Sequence, residues 1–356
     1  MEETTNATNE TIHVCTTTPL PITSILICAS LVVLALFILT ANFTVLVLVK
    51  RRIPLRTQSN ICLCSLAASD FLAGLVALPL TVACSFLNCV MPQLCLAMDL
   101  CQRFLAISTI IHLLVITTER YITIVYPMVY SRILTKYRIL TVLAYTWVIS
   151  LFTSLIQLSW YSPEWKEIST IWNNDFIYDI FCVTAIVLLP LLFMTYAHVH
   201  ILLVARQQTN AIKRQTNHLC TTANLKTARK NAQLVYAAML GVFIAGWVPY
   251  FLLAMEADSN YTLFVLPSWF RQISLFFKFF TGLFNPLLYT FFKSDFKKET
   301  SFLYRRLKNF CCMYFCCCCI DLEISHLNPI ASSHQEEHLI ANQRELLVIT
   351  QSETAL

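Results

Sequence analysis

Seven long apolar stretches constrain this chain of 356 residues more than any other feature. Each is long enough to cross about 30 Å of hydrocarbon as a helix, which takes about 20 residues. In lipid only helices and closed barrels satisfy the backbone, and the stretches lack the alternating pattern of barrel strands. The sequence therefore predicts an all-α membrane protein, a seven-transmembrane helix bundle. Spans one to seven are predicted at approximately 22–49, 59–86, 93–118, 139–160, 176–204, 232–255 and 263–292.

Composition argues against several other classes of protein. Hydrophobic residues make up 57% of the chain and charged residues only 13%, whereas about a quarter of the residues in soluble domains are charged. This deficit of charge argues against a cytosolic enzyme, a disordered chain and a protein that binds nucleic acid through a basic surface. The sequence also contains no phosphate-binding loop, metalloprotease helix or nucleophile elbow, so we expect no enzyme.

The basic residues predict the orientation of the bundle. Lys and Arg cluster after spans one, three, five and seven, while the loops on the opposite side carry only Lys166 and Arg271. The positive-inside rule then places the N-terminus outside the cell and the C-terminus in the cytoplasm. We expect a multi-pass plasma-membrane protein, and we call the end where span one begins the outer end and the opposite one the inner end.

The chain divides into four predicted segments, of which the helix bundle is the largest. The segment after the bundle is basic and aromatic, which is typical of a helix in the inner membrane interface, with Phe296, Leu303 and Phe310 turned toward membrane lipids. The segments are an extracellular tail at 1–21, the bundle at 22–292, the amphipathic interfacial helix at 293–310, and a Cys-rich and disordered cytoplasmic tail at 311–356.

Both tails carry candidate sites of modification and binding. Asn6 and Asn9 begin Asn-X-Thr sequences outside the cell, which are acceptors for N-glycosylation. Cysteines beside an amphipathic helix are typical of S-palmitoylation, and a reduced or metal-binding patch is the alternative. The C-terminal end fits the ligand of a PDZ-domain protein, through Thr354 and Leu356. The predicted palmitoylation sites are Cys311, Cys312, Cys316 and Cys317.

Ionisable residues and prolines inside the spans form an ordered set of motifs. An ionisable group within a membrane is costly, so each one is a functional candidate. The motifs are Leu66-Ala67-Ala68-Ser69-Asp70 in span two, Glu119-Arg120-Tyr121 in span three, Trp147 in span four, Pro190 in span five, Trp247-Val248-Pro249 in span six and Asn285-Pro286-Leu287-Leu288-Tyr289 in span seven. With these motifs in this order, residues 22–310 or so resemble a rhodopsin-like G protein-coupled receptor.

The resemblance implies a set of switch residues and partners. Arg120 would pair with Glu119 at rest and face a heterotrimeric G protein when active. The basic loop at 205–231 would also meet the G protein, while arrestin and receptor kinases would act on the tail. The implied activation switch comprises Asp70, Glu119, Arg120, Tyr121, Pro249, Asn285, Pro286 and Tyr289.

The resemblance also implies a sodium ion at Asp70, with Asn285 completing the site. An oxygen cage suits such a hard cation. Thr281 and Gly282 depart from the family pattern, because they stand where a polar side chain usually contributes to the cage. A structural water cluster is the alternative to the ion.

Three further positions depart from the family pattern. Arg229 stands where many receptors carry an acidic residue that holds the arginine of span three, so we expect appreciable ligand-independent signalling. His198 replaces a tyrosine that supports the active state. Cys95 matches the cysteine usually bonded to the second outside loop, which here contains no cysteine. Cys95 would instead pair with Cys15, the preferred partner in the oxidising outside compartment, or with Cys89, or remain free.

The outer half of the bundle is the expected ligand-binding region. Counting back about five helical turns from the arginine of span three reaches Gln102. Amine receptors carry an Asp there, so we expect no simple biogenic amine. Two cations, Arg103 and Lys278, suit an acidic small ligand or the carboxylate of a lipid or peptide. The predicted ligand-binding residues are Gln102, Arg103, Trp247, Tyr250, Phe251 and Lys278.

Internal ion pairing is the alternative interpretation of these charges. Asp99 lies four residues before Arg103, which is the spacing of an ordinary helical ion pair. Asp179 or Glu256 could likewise reach Lys278. Under this alternative the cations stabilise the bundle, and the two interpretations do not exclude each other.

Two other functions remain as alternatives. Opsins bind retinal through a lysine of span seven, but that lysine would fall at Phe279, one residue after Lys278, and one residue turns a side chain by about 100°. The other alternative is a small-solute transporter, against which the sequence shows neither inverted repeats nor paired broken helices.

Overall fold

All seven predicted spans form long helices. A computed structural model describes residues 22–87, 91–161, 168–215, 219–258, 267–293 and 295–301. Within these residues seven helices are long and apolar enough to cross a membrane, which confirms the predicted bundle. The outer tail, the cysteine cluster at 311–319 and the C-terminal Thr354 and Leu356 lie outside the described residues.

Four spans are continuous helices within the described residues, and three contain irregular turns. The continuous ones are span one at Ile22–Arg51, span three at Pro92–Val125, span six at Leu219–Asp258 and span seven at Ser268–Phe292. Span two consists of Gln58–Leu72, a π-helical turn at Ala73–Ala77 and Leu78–Leu87. Span four is Lys136–Leu155 with a 3₁₀ turn at Ile156–Ser159. Span five consists of Ile168–Phe181, a π-helical turn at Cys182–Leu188 and Leu189–Gln215. Short helical segments at Ile53–Leu55 and Pro127–Ile133 lie between spans.

Three helices extend past their predicted limits at the inner end. Span three continues to Val125, so the Glu119-Arg120-Tyr121 motif lies inside the helix and does not close it. Spans five and six continue to Gln215 and from Leu219, so the predicted loop at 205–231 is mostly helical. Hydropathy marks only the lipid-crossing part of a helix, whereas Ala, Gln, Lys and Arg continue it into water because their helix propensity is high.

Span three lies at the centre of the bundle. It contacts spans two, four and five, and it is buried over a larger share of its apolar length than any other span. Spans one and four lie at the periphery, where large apolar side chains such as Phe37, Tyr145 and Phe152 are exposed. Polar side chains on span three can therefore reach most of the neighbouring spans.

Spans six and seven approach each other closely at Gly246. A Cβ atom at this position would lie 2.3 Å from Cγ2 of Thr281 and 3.1 Å from the carbonyl oxygen of Phe277. Because the side chain of Thr281 is β-branched and stiff, it could not move aside cheaply. Gly246 therefore allows the tight contact that places the polar residues of span seven against span six.

Irregular backbone lies next to buried acidic residues. The π-helical turns of spans two and five begin just after Asp70 and Asp179. Such turns are frequent at functional sites because the extra residue redirects neighbouring side chains. Pro249 and Pro286 lie inside spans six and seven, where each removes one backbone hydrogen bond.

A further helical segment at 295–301 follows span seven, where the interfacial helix was predicted. Phe296 is fully buried, with its ring centroid 5.3 Å from that of Tyr289. The prediction that Phe296 faces lipid was therefore wrong, because the ring packs against an aromatic partner on span seven. Leu303 and Phe310 lie outside the described residues. The compact unit that contains the bundle ends at Glu299, and only the first two residues of the second unit, Thr300–Leu356, are described.

Cys95 forms a disulfide with Cys84, which joins the outer ends of spans two and three. The expected pairing with Cys15 or Cys89, or a free thiol, was therefore wrong. Cys84 lies in an apolar run that hydropathy assigns to the membrane, so the pattern contained no signal for this bond. Cys15 and Cys89 lie outside the described residues.

Candidate functional site

Arg103 is the centre of a buried ion-pair cluster near the outer end. Its Nε donates to Oδ2 of Asp99 at 2.8 Å, one turn earlier on span three, as the sequence spacing predicted. Its Nη1 donates to Oδ1 of Asp179 on span five, which is fully buried. The guanidinium carbon lies 5.3 Å from the ring centroid of Tyr178. Two carboxylates on different helices therefore hold this arginine.

Lys278 on span seven has a neutral hydrogen-bond partner. Its side chain is 2% exposed, and its Nζ donates to Oε1 of Gln102. Gln102 in turn donates from Nε2 to Oγ1 of Thr81 at 2.9 Å. Asp179 pairs with Arg103, so the expectation that it would reach Lys278 was wrong.

Glu256 is also directed away from Lys278. Its Oε1 accepts a hydrogen bond at 3.1 Å from Nη2 of Arg271, and the Arg271 side chain is 57% exposed. The expected contact between Glu256 and Lys278 was therefore wrong. Arg271 and Glu256 form an ion pair at the edge of the bundle, close to solvent.

Three aromatic residues of span six lie beneath the outer polar residues. The Tyr250 ring centroid lies 4.1 Å from Nζ of Lys278, and the Tyr250 hydroxyl donates to Oδ1 of Asp99 at 3.3 Å. The ring of Trp247 meets that of Tyr250 edge to face, with 5.7 Å between the centroids, and the ring centroid of Phe251 lies 5.4 Å from that of Tyr250. The structure thus brings the six predicted ligand-binding residues into one region.

A cavity of about 360 Å³ adjoins this region, among spans two, three, six and seven. Its volume falls in the range of small-molecule sites. Lys278 and Arg271 line it together with hydroxyl, amide and apolar side chains. The other lining residues are Thr81, Cys84, Ser85, Met98, Gln102, Tyr250, Leu253, Ser274 and Leu275.

Asp70 and Asn285 meet in the middle of the bundle. Both are buried, and Nδ2 of Asn285 donates to Oδ2 of Asp70 at 3.0 Å. From span one, Nδ2 of Asn42 donates to the carbonyl oxygen of Gly282 at 2.9 Å. Spans one, two and seven are therefore joined by hydrogen bonds at the depth where the resemblance implies a switch.

The atoms around Asp70 fit a sodium ion poorly. Asn285 presents an N–H donor to the carboxylate, and the hydroxyl of Thr281 donates to the carbonyl oxygen of Lys278 at 2.7 Å. Gly282 has no side chain to offer. A hard cation needs several oxygen ligands. Lys278 also lines the same small cavity as Asp70, and its ammonium would repel a second cation.

His112 is a hydrogen-bonded member of the core. Its Nε2 lies 2.7 Å from Oγ of Ser65, and its Nδ1 lies 2.7 Å from the carbonyl oxygen of Ser108. Nε1 of Trp147 donates to the same Ser65 hydroxyl at 3.1 Å. This chain joins spans two, three and four, and it accounts for a buried histidine without any ligand.

Arg120 lies near the inner end and has fewer partners than Arg103. Its Nε lies 3.0 Å from Oε2 of the adjacent Glu119, and its guanidinium carbon lies 5.0 Å from the ring centroid of Tyr236 on span six. The Tyr236 hydroxyl lies 3.2 Å from Oγ of Ser59 on span two. The structure therefore forms the Glu119–Arg120 pair that the resemblance implies at rest.

Lys293 completes the inner polar cluster. It follows span seven directly, and its Nζ donates to Oδ1 of Asn60 and, at 3.4 Å, to Oγ of Ser59. Burial is the main cause that lowers the pKa of Lys293 to about 7, and the charge of Arg120 adds to the shift. Sequence reasoning counted Lys293 only as a basic residue of the inner side, since nothing in its position indicates that it folds back against span two.

Tyr289 is also buried at the inner end, against Phe296. A cavity of about 100 Å³ lies between spans three, five and six, lined by Arg120, His198 and Tyr236 among others. Nε2 of His198 is buried and has no hydrogen-bond partner among the described residues. The side chain of Arg229 lies outside the described residues.

The sequence is similar to a family of membrane receptors and to several of its members. The sequence matches the family described as "7 transmembrane receptor (rhodopsin family)" over residues 41–289. The histamine H2 receptor of Cavia porcellus is 28% identical over 304 residues, covering 79% of this chain and 78% of that receptor. The 5-hydroxytryptamine receptor 1E of Homo sapiens is 25% identical over 336 residues, covering 76% and 90%. Trace amine-associated receptor 4 of Mus musculus is 23% identical over 301 residues, covering 77% and 84%.

Proposed function

Because this chain belongs to the rhodopsin family of seven-transmembrane receptors, we propose that it transmits an extracellular chemical signal to a heterotrimeric G protein. The family consists of receptors and not of enzymes. The seven helices make the chain a multi-pass membrane protein, and the positive-inside rule supports a plasma-membrane receptor with its N-terminus outside.

The environment of Arg120 is the observation that carries this proposal. The arginine is held by one carboxylate on its own helix and by the ring of Tyr236 on span six. It also lines a cavity between spans three, five and six. A movement of span six would free one face of the guanidinium, which always stays charged and could then donate to a protein partner.

Guanine-nucleotide exchange tests the proposal directly. The full chain in lipid nanodiscs should accelerate exchange on at least one class of purified G protein. The Arg120→Leu variant should return the rate to that of empty nanodiscs. Lys136→Gln is the matched control, because Lys136 is an exposed cation at the start of span four. Exchange with no G protein class, or an Arg120→Leu variant as active as the parent, would contradict the proposal.

Ligand-independent signalling is part of the proposal. It rests on Arg229, which stands at the position where many family members have an acidic partner for Arg120. A reporter assay at matched surface expression should show basal output, and Arg229→Glu should lower it. An inactive parent receptor under these conditions would argue against the role of Arg229.

The ligand is proposed not to be a simple biogenic amine. Relatives are named for histamine, 5-hydroxytryptamine and trace amines, but they share only 23% to 28% of their residues with this chain. Here Gln102 occupies the position of the amine-binding Asp, and Lys278 is bound to it. A cationic ligand would meet a cation at this point.

Several partners of the tails complete the proposed receptor. We propose N-glycans on Asn6 and Asn9, palmitoylation of the cysteines from Cys311 to Cys317, and binding of arrestin, receptor kinases and a PDZ-domain protein at the tail. Deglycosylation should lower the apparent mass of the parent but not of an Asn6→Gln, Asn9→Gln variant. A pull-down with PDZ domains should be lost when Leu356 is deleted.

The alternative functions have no specific observation in their favour. The amine of Lys278 is engaged by Gln102, and the opsin position is occupied by Phe279. Membership of a receptor family speaks against a small-solute transporter. Sodium is not included as a cofactor, because Asn285 presents an N–H donor to Asp70 and Lys278 lines the same small cavity.

A further inference from the structure

The cavity at the outer end has an uneven distribution of charge. Both carboxylates of the outer cluster, Asp99 and Asp179, contact Arg103 on the side of spans three and five. Lys278 lies on the opposite side and lines the cavity of about 360 Å³. The buried Asp179 and the partly exposed Asp99 therefore compensate the arginine directly, while the ammonium of Lys278 faces the cavity.

The direct contacts of Lys278 are with neutral groups. The carboxylate of Asp99 is near enough for its charge to act on Lys278, but it is bonded to Arg103. Its ammonium donates to the amide oxygen of Gln102 and lies near the face of the Tyr250 ring. Burying a charge is costly unless an opposite charge pairs with it. A bound anion would supply that pairing, because the cavity gives it direct access to Nζ.

A line of polar residues on span seven leads to this ammonium. Arg271, Ser274 and Lys278 are separated by three and four residues, so they lie on one face of the helix and all line the cavity. The side chain of Arg271 is 57% exposed and stands at the entrance, whereas Lys278 is at the bottom. An entering anion would meet first one cation and then the other.

We infer that this cavity binds a small carboxylate with a compact apolar body, and that Lys278 is its main anchor. The inference rests on the proposed receptor function, because it assigns the chemistry of the ligand that would work the receptor. Met98, Leu253 and Leu275 line the cavity with apolar surface for the body of the acid. The two cations select against an amine of the same shape, which would suffer repulsion from both.

Three probes of nearly equal shape test the sign of the charge. Purified full-length receptor in nanodiscs is heated with phenylacetate, phenylacetamide or phenethylamine at millimolar concentration, and a set of other small aromatic and aliphatic acids with their amides and amines follows. We expect at least one acid to raise the unfolding temperature and its amide and amine not to do so. If no acid stabilises the receptor, or if amines stabilise it more than the matching acids, the inference is overturned.

Variants of the two cations locate the site. Lys278→Met should weaken binding of the stabilising acid about thirtyfold or more, because it removes a buried charge partner. Arg271→Gln should weaken it less, since Arg271 is largely exposed and already paired with Glu256. Lys136→Met, far away at the inner end, should leave it unchanged. Equal affinity in the parent and in both cavity variants would contradict the assignment.

Two measurements keep this inference separate from the proposed function. If Lys278→Met fails to fold, Arg271→Gln and Ser274→Ala still test the same helix face, and an acid that binds both variants as tightly as the parent overturns the site. Nucleotide exchange is measured on the same nanodiscs. If the receptor accelerates nucleotide exchange but binds no acid, only the proposed ligand class is contradicted. If it binds an acid but accelerates exchange on no G protein, the proposed receptor function is contradicted.

Discussion

Each end of the bundle has an arginine on span three, and the two arginines are held in different ways. At the outer end Arg103 donates to carboxylates on two helices, including the fully buried Asp179. At the inner end Arg120 has one carboxylate, Glu119, on its own helix, and the second contact is the ring of Tyr236. Separating spans three and five at the outer end would break an ion pair of Arg103, whereas separating spans three and six at the inner end would break a cation–ring contact of Arg120. We call Arg103 with Asp99 and Asp179 the outer joint, which fixes spans three and five to each other. We call Arg120 with Glu119 and Tyr236 the inner joint, which allows spans three and six to separate.

Both ends also bury a lysine, and here they are alike. Lys278 donates to Gln102 and Lys293 donates to Asn60, so each ammonium is held by a neutral amide oxygen of a neighbouring helix. The difference lies in their surroundings, since Lys278 lines the outer cavity while Lys293 lies near Arg120 and Glu119.

Removing the outer arginine should have the largest effect on stability. Arg103→Met leaves the buried Asp179 and the partly exposed Asp99 without their cation, and breaking a buried ion pair costs about 3–5 kcal/mol. Thermal unfolding of purified receptor and surface expression should both fall sharply. Arg132→Met, at an exposed arginine of the short inner helix, is the control. An Arg103→Met receptor with the stability of the parent would show that the outer joint is not an anchor.

The pH dependence of stability should report on Lys293. Burial lowers its folded pKa to about 7 from an ordinary value of 10.5. Between these values the unfolded chain binds a proton that the folded chain lacks, so stability rises with pH, by about 2–3 kcal/mol between pH 7 and pH 9. Below about pH 7 both states are protonated and the gain is absent.

The variant Lys293→Met should remove this rise, and Lys297→Met is the matched control on the following helix. Thermal unfolding of both variants across the same pH range gives the comparison. The titratable groups near Lys293 are Arg120, Glu119, Cys62 and Asp295. Because the carboxylates among them titrate in acid, the comparison uses only the stability measured from neutral to alkaline pH. If the stability of the parent receptor does not change from neutral to alkaline pH, the lowered pKa of a buried Lys293 is contradicted.

Loosening the inner joint should have a moderate effect. Tyr236→Phe keeps the ring beneath Arg120 but loses the hydrogen bond to Ser59, which is worth about 1 kcal/mol. If that bond holds span six in place, basal nucleotide exchange should rise about fivefold. Tyr145→Phe, on the exposed face of span four, is the control. Unchanged or lower basal exchange in Tyr236→Phe would mean that this hydroxyl does not restrain span six.

The exposed ion pair of the outer end should have the smallest effect. Glu256→Gln removes the partner of Arg271, and exposed pairs contribute less than about 1 kcal/mol. The unfolding temperature should therefore change little, and high salt should remove what difference there is. A loss as large as that of Arg103→Met would erase the distinction between buried and exposed pairs at this end.

Much of the fold followed from hydropathy, because crossing lipid demands long apolar helices. The order of the spans, their number and the Asp99–Arg103 pair were all within reach of sequence reasoning, since each depends on local spacing. The helical extensions at the inner end were not, because polar helix in water leaves no hydropathy signal. The Cys84–Cys95 disulfide was missed for a related reason, as Cys84 resembles any other small apolar residue of its span.

Sequence reasoning identified the residues of the outer site, but it did not assign all of their ion-pair and hydrogen-bond partners. Lys278, Gln102 and Arg103 were recognised because polar residues in lipid are rare, yet which carboxylate serves which cation depends on how spans three, five and seven rotate. The pairing of Asp179 is an example, because the π-helical turn that follows it changes how span five is rotated, and hydropathy does not reveal that turn. Lys293 escaped notice because its burial depends on a turn that no local pattern marks.

Distances between spin labels at the two ends test the central claim most directly. Labels introduced as unnatural amino acids at Tyr126 and Leu234 report the separation of spans three and six at the inner end, and labels at Gln93 and Ile177 report spans three and five at the outer end. All four positions are exposed. On adding nucleotide-free G protein, the inner pair should move apart while the outer pair keeps its distance. Displacement of the outer pair by as much as the inner one, or of neither, would contradict a fixed outer and a movable inner arginine.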